Sequence, residues 1–329
     1  MHHTVLQVQD LSIKLKIEGV IYSIIHGLSF ELKKGKTLAI VGESGCGKTL
    51  SALAIMRLLP EPPMLAPKGK IFFKGRNLLT LPAEEMRHIR GRQIAMIFQD
   101  PKSALNPVFT IGVQLLEVVW THLKLSEEAA KALVLKTLED VHLPNPHEIL
   151  EKYPHELSGG MLQRVMIAMS LLCSPDILIA DEPTTALDVT TQSQILALLR
   201  ELQEKKGMAT LLITHDMGVV AQNADEVIVM YAGDQIEKGS VFDIFDHAAH
   251  PYTKALFASQ PQNHKKKYLE TITGFVPRAT NLPKGCLFHP RCRQTMEKCK
   301  REGAPLFSLK EEGHFTKCWL YDQEKNPKK

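Results

Sequence analysis

LAIVGESGCGKTL, residues 38–50, is the stretch whose reading decides the fold. Leu38, Ala39, Ile40 and Val41 form an apolar run of strand length. The run enters a glycine-rich loop that closes with Gly47, Lys48 and Thr49 at the start of a helix expected over residues 50–59. This is the pattern G-x-x-x-x-G-K-[ST] with a strand before it and a helix after it, the setting in which it carries meaning. Gly42, Gly45 and Gly47 let the backbone turn and approach a phosphate with no Cβ in the way. Loop N–H groups and the positive end of the helix form an anion cradle. Lys48 supplies a cation for the β- and γ-phosphates, and Thr49 offers a hydroxyl to Mg²⁺. Residues Gly42, Glu43, Ser44, Gly45, Cys46, Gly47, Lys48, Thr49 and Leu50 are therefore the candidate Mg-nucleotide loop.

Four further pieces lie downstream. Ile177-Leu178-Ile179-Ala180 reads as a buried strand ending in Asp181 and Glu182. Asp181 is placed to hold Mg²⁺, and Glu182, one residue on, to orient or deprotonate an attacking water. Leu157-Ser158-Gly159-Gly160-Met161 puts a capping serine and two glycines at a helix start, a second anion-binding end. His215 follows the apolar strand at 211–214, where an imidazole can hydrogen-bond a γ-phosphate. Gln99 follows the apolar strand at 94–98, with an amide that can touch Mg²⁺ or water.

The rest of the chain supplies a scaffold. Residues 5–32 read as antiparallel strands, with Leu11, Ile13, Leu15 and Ile17 alternating with polar residues. Residues 100–153 form a helical insert, with helices expected over 111–123 and 127–141 and a loop from 144 to 154. Further helices are expected over 82–90, 159–172 and 190–205, the last ended by Gly207, and further strands over 71–73, 227–231 and 235–238. Apolar strands alternating with helices point to a mostly parallel α/β core. No apolar run approaches the ~18 residues of a membrane span, and the first ten residues lack a basic-then-apolar leader. A cytosolic setting without disulfides is the expectation. Charge is uneven: residues 262–329 carry +8 and the remainder −4. Lys265, Lys266 and Lys267 are read as a solvated surface.

The order of these pieces resembles the ATP-binding cassette (ABC) ATPases from about residue 5 to residue 259. The resemblance implies a P-loop NTPase fold: a RecA-like core, an antiparallel β subdomain and a helical subdomain at about 100–153, together forming residues 1–261. It implies ATP and Mg²⁺ bound by Lys48, Thr49, Gln99 and Asp181, Glu182 as catalytic base and His215 as γ-phosphate sensor. It further implies that two such domains face each other, so that Ser158, Gly159 and Gly160 complete the partner's ATP site. Met161 stands where the common signature has Gln, and Leu15 falls where an aromatic residue often stacks on adenine, which leaves Tyr22 as the nearest aromatic.

Within that family, FQDP at 98–101, SALNP at 103–107, SGGMLQRVMIAM at 158–169, HPYTKAL at 250–256 and GCLFHPRC at 285–292 are similar to the D-type ATPases of dipeptide, oligopeptide and nickel importers. This implies a peripheral subunit on the cytoplasmic face of the bacterial inner membrane. Its partners would be a second, related ATPase, two permeases and, indirectly, an extracytoplasmic substrate-binding protein, with peptide preferred over nickel as cargo. No nucleic-acid partner is expected. A soluble ABC ATPase acting on nucleic acid or the ribosome, and a metal-dependent module grafted on an inert cassette, are the competing readings.

Cys286, Cys292, Cys299 and Cys318 lie in a small extension, residues 262–329. Four thiolates suit tetrahedral zinc or a [4Fe–4S] cluster. Their wide spacing, unlike the close pairs of zinc knuckles, and the family resemblance both tilt toward the cluster. Cys46 is read as a small loop residue and Cys173 as core.

Overall fold

The computed structural model describes residues 3–185, 187–259, 271–310 and 313–322. Lys265, Lys266 and Lys267 lie outside the described residues.

In chain order, β1 (Thr4–Ile17) and β2 (Val20–Lys33) come first, then β3 (Thr37–Val41), the nucleotide loop and α1 (Lys48–Ile55). Next are β4 (Lys68–Phe73), β5 (Arg76–Asn77), α2 (Ala83–Ile89) and β6 (Ile94–Ile97). A run of helices follows: α3 (Pro101–Ala104), α4 (Ile111–His122), α5 (Glu127–Asp140), α6 (Pro146–Glu151) and α7 (Gly159–Leu171). The chain continues through β7 (Ile177–Asp181), α8 (Val189–Lys206), β8 (Ala209–Thr214), α9 (Met217–Asn223), β9 (Glu226–Tyr231) and β10 (Asp234–Ser240). It closes with α10 (Val241–Asp246), α11 (Pro251–Ala258), α12 (Glu297–Arg301), β11 (Phe307–Ser308) and β12 (Phe315–Thr316).

Contacts divide the chain into two compact units. Of the described residues, the first holds those within 3–5, 32–36 and 80–212; the second holds those within 6–31, 37–79 and 213–322. In the first unit β6 and β7 pair in parallel, Ile94 opposite Ile177 through Ile97 opposite Ala180, and every residue of both strands is buried. Strands buried on both faces read as unbroken apolar runs, which is how these two were recognisable. α4, α5, α6 and α7 pack around one another, and Ile111, Leu115, Val119, Val134, Leu138, Ile149 and Leu162 on them are buried.

In the second unit, β2, β1, β4 and β5 form an antiparallel sheet in that order, with Leu6 opposite Phe73 and Val8 opposite Ile71. A second sheet runs β3-β9-β10-β12-β11. β3 and β9 pair in parallel, Leu38 with Glu226 through Val41 with Val229. Val41, Val229, Tyr231, Tyr252 and Phe288 share the core on this sheet, with Cys286 and Cys292 packed against it.

Several expected boundaries move. α1 stops at Ile55 rather than 59, because Arg57 adopts a left-handed backbone (φ 51°). The expected loop at 144–154 contains α6, with Pro146 in its first turn, where the missing N–H costs nothing. The alternation in β1 holds at Leu11 and Ile13 but fades toward the hairpin tip, where Ile17 is exposed. No expected element covers α10 and α11. Ser240 caps α10 by accepting from the Asp243 N–H, and His250 Nδ1 caps α11 by accepting from the Tyr252 N–H. Among the described residues no helix is long and apolar enough to cross a membrane.

Candidate functional site

In the second unit the nucleotide loop leaves β3 under tight steric control. Gly42 has φ 154°, and a Cβ there would lie 2.2 Å from the Met230 carbonyl oxygen. Gly47 has φ 99°, and its Cβ would lie 2.3 Å from Ile25 Cδ1. Lys48 is buried, and its Nζ donates to the carbonyl oxygens of Gly42 at 2.8 Å and Glu43 at 3.2 Å. The ammonium is therefore folded back over the loop it must serve. Cys46 is buried with its Sγ 3.9 Å from the same ammonium, and burial raises its thiol pKa. It packs as the small loop residue that was expected. Ser44, Gly45 and Thr49 are exposed at the loop's outer side, and Leu50 is half-buried. Tyr22 is half-buried in β2, three residues before Ile25. His215 is exposed directly after β8; Asp216 beside it caps α9, accepting from the Gly218 and Val219 N–H groups at 2.7 and 3.3 Å.

The loop has partners that no local pattern announces. The Glu43 N–H donates to the Tyr252 hydroxyl at 2.9 Å. Burial pushes the Tyr252 phenol well above its ordinary range, so it acts here as a neutral hydroxyl. The Glu43 carboxylate takes both arms of the Arg291 guanidinium, at 2.6 and 3.0 Å. Arg291 also donates to the Tyr231 hydroxyl at 3.3 Å.

In the first unit, Asp181 ends β7 and is 2% exposed. Glu182 then takes a left-handed backbone, φ 46°, a conformation rare outside glycine. Gln99 Nε2 donates to Glu182 Oε2 at 3.0 Å, and Thr185 Oγ1 donates to the same oxygen at 2.9 Å. Gln99 and Glu182, separate in sequence, are thus brought together. Ser158 caps α7, its Oγ accepting from the Met161 N–H at 3.3 Å. Ser158 and Gly159 are exposed, and a Cβ on Gly160 would meet Thr191 Cγ2 at 3.0 Å. An exposed, capped N-terminus of a helix this long can receive an anion from outside.

Cys286, Cys292, Cys299 and Cys318 are free thiols that line one small cavity in the second unit, with His250, Phe288, Trp319 and Leu320. Burial, and then the neighbouring thiols, push Cys286 and Cys318 up to about 11. Thiols become ligands only by giving up their protons to solvent as a cation binds. The buried His250 Nε2 in the cavity lining has no hydrogen-bond partner. Among the described residues no three His, Cys, Asp or Glu side chains converge as a single metal ion would require.

Residues 25–185 match the family model for ABC transporters, and residues 236–299 match the oligopeptide/dipeptide transporter C-terminal region. The chain is 49% identical to the dipeptide transport ATP-binding protein of Bacillus subtilis, over 97% of its own length and 95% of that protein's. It is 47% identical to the oligopeptide transport ATP-binding protein of the same organism, covering 96% and 88%. The Escherichia coli dipeptide transport ATP-binding protein is 43% identical, covering 95% of each. Among solved structures, a dimeric ATP-binding cassette bound to ADP and phosphate superposes with TM-score 0.64 at 26% identity, covering 72% of this chain and 98% of that one. The fold is that of an ABC nucleotide-binding domain, and the chain belongs to the ABC transporter ATPases that carry the oligopeptide/dipeptide C-terminal region.

Proposed function

We propose that this chain is the ATP-hydrolysing subunit of an importer for di- or oligopeptides, energising uptake through partner permeases. The observation that carries the reading is near-half identity, over almost the whole chain, to dipeptide and oligopeptide transport ATP-binding proteins. Those names favour peptide over nickel as cargo.

Each candidate residue has a task in this reading. Lys48 and the loop N–H groups would hold the β- and γ-phosphates; Thr49, Asp181 and Gln99 are the residues that would hold Mg²⁺, which when bound would offset charge on the phosphates. Glu182 accepts the proton of the attacking water, and Gln99 and Thr185 orient its carboxylate. His215 contacts the γ-phosphate, Tyr22 the adenine. Ser158, Gly159 and Gly160 serve the ATP of a second, related ATPase subunit. Val108, Phe109, Val113 and Trp120 expose apolar surface in the helical region, as expected of a face that meets a permease at the membrane. In the C-terminal extension, Cys286, Cys292, Cys299 and Cys318 would be the ligands of a [4Fe–4S] cluster. Support comes from the four thiols lining one cavity, with zinc as the alternative occupant.

The test is affinity capture of the full chain from detergent-solubilised membranes, followed by reconstitution of what is recovered. ATP-driven peptide uptake into vesicles by this ATPase with two permeases is the expected result. Recovery of ribosomes or nucleic acid without a permease would overturn it.

A further inference from the structure

All three polar functions of Glu43 are engaged. Its N–H donates to Tyr252, its carbonyl accepts from Lys48, and its carboxylate takes the Arg291 fork. Glu43 occupies one of the positions that the nucleotide-loop pattern leaves free, so the pattern itself gives no reason for this engagement. Arg291 is equally committed. Its Nε donates to the Thr273 carbonyl at 3.0 Å, and its side chain is 5% exposed. A 3-10 turn, His289–Arg291, carries it, and the turn is anchored by Phe288, whose ring lies 5.2 Å from that of Tyr231 and 5.3 Å from that of Tyr252. Cys292, on the thiol-lined cavity, is the next residue. A part-buried, two-pronged contact thus joins the cysteine-lined module to the second residue of the loop, 248 residues away in sequence.

We propose that Arg291 is a positioning residue for ATP binding: through Glu43 it holds the first turn of the nucleotide loop, and with it the carbonyl on which the Lys48 ammonium rests. The planar fork fixes the orientation of the carboxylate as well as neutralising it, which a lysine cannot do. Loss of the fork leaves Glu43 free to rotate, and the Lys48 anchor moves with it. Arg291 itself touches neither phosphate nor Mg²⁺. This inference rests on the reading of residues 42–50 as an ATP site.

The experiment is calorimetric titration of the full chain with ATP and Mg²⁺, alongside thermal melts. Arg291→Ala is expected to weaken ATP binding about ten-fold and Arg291→Lys about three-fold, a partial rescue by charge without the fork. Glu43→Ala is expected to match Arg291→Ala, and the double variant to be no weaker than either single one, because both changes remove one contact. A wild-type chain that binds no ATP overturns the nucleotide reading and this inference with it. A wild-type chain that binds ATP while Arg291→Ala binds as tightly overturns this inference alone. So do additive losses in the double variant, or a lowered melting temperature with unchanged affinity, which a purely structural pair would give. Should Arg291→Ala not fold, Glu43→Gln keeps the side chain's shape and removes its charge; affinity equal to wild type in that variant overturns the proposal, and a loss of three-fold or more supports it.

Discussion

Gln99 and Glu182 meet across 83 residues of sequence, the amide Nε2 donating to the carboxylate Oε2 at 3.0 Å. The bond ties the end of one buried parallel strand to the turn after its neighbour. It gives the proposed base a fixed direction, and the Thr185 hydroxyl reinforces it on the same oxygen. Glu182→Gln is expected to retain ATP binding and lose hydrolysis by on the order of 10² or more. Gln99→Ala removes one donor from the carboxylate, and turnover is expected to fall about ten-fold, by more than ATP affinity does. Single-turnover hydrolysis set beside equilibrium binding checks both. Wild-type turnover by Glu182→Gln would remove the base assignment.

Gly42 admits no side chain, since its Cβ would lie 2.2 Å from the Met230 carbonyl oxygen, a backbone atom that cannot rotate away. Gly42→Ala is expected to cost about 2 kcal/mol or more of stability, measured by denaturant unfolding. Gly45→Ala has nothing within 4 Å of the new Cβ and pays only for its φ of 79°, so its loss should be about 1 kcal/mol. Equal losses at the two positions would contradict this steric account.

The cysteine module makes an analytical prediction. Chain purified without oxygen is expected to carry about four iron atoms and matching sulfide, with visible absorbance that Cys292→Ser or Cys318→Ser abolishes. One zinc per chain would replace the cluster with a mononuclear site, and metal-free protein that melts as wild type would remove the metal altogether.

Asp243 gives a pH dependence whose sign is fixed. The Lys310 ammonium and the Ser240 hydroxyl hold its carboxyl down at about 2, against an ordinary value of 3.8. A depressed acid contributes stability above its unfolded pKa and loses it as pH falls through about 4 toward 2. The side chain of Lys310 is half-exposed, so the discounted contribution is about 1 kcal/mol. Asp243→Asn should be less stable at pH 7 by that amount and show a shallower acid limb in urea melts between pH 5 and 2. An unchanged limb would mean the pair contributes nothing.

Local sequence determined the parts of this protein whose physics is local. The nucleotide loop needs glycine where backbone crowds it and lysine where phosphate sits, so residues 42–50 declare themselves in order. The buried strands at Leu38–Val41, 94–97 and 177–180 declare themselves because burial on both faces demands an unbroken apolar run. Where helix and loop compete on a few kcal/mol, the sequence was less legible: α6 hid behind two prolines, and α10 and α11 behind short caps on Ser240 and His250. Only the tertiary structure decided which distant groups hold the site. Nothing adjacent to Glu43 indicates Tyr252 or Arg291, and nothing adjacent to Glu182 indicates Gln99. These partners are set by strand register and by the packing of Tyr231, Tyr252 and Phe288, long-range properties of the folded core that no window of neighbouring residues contains.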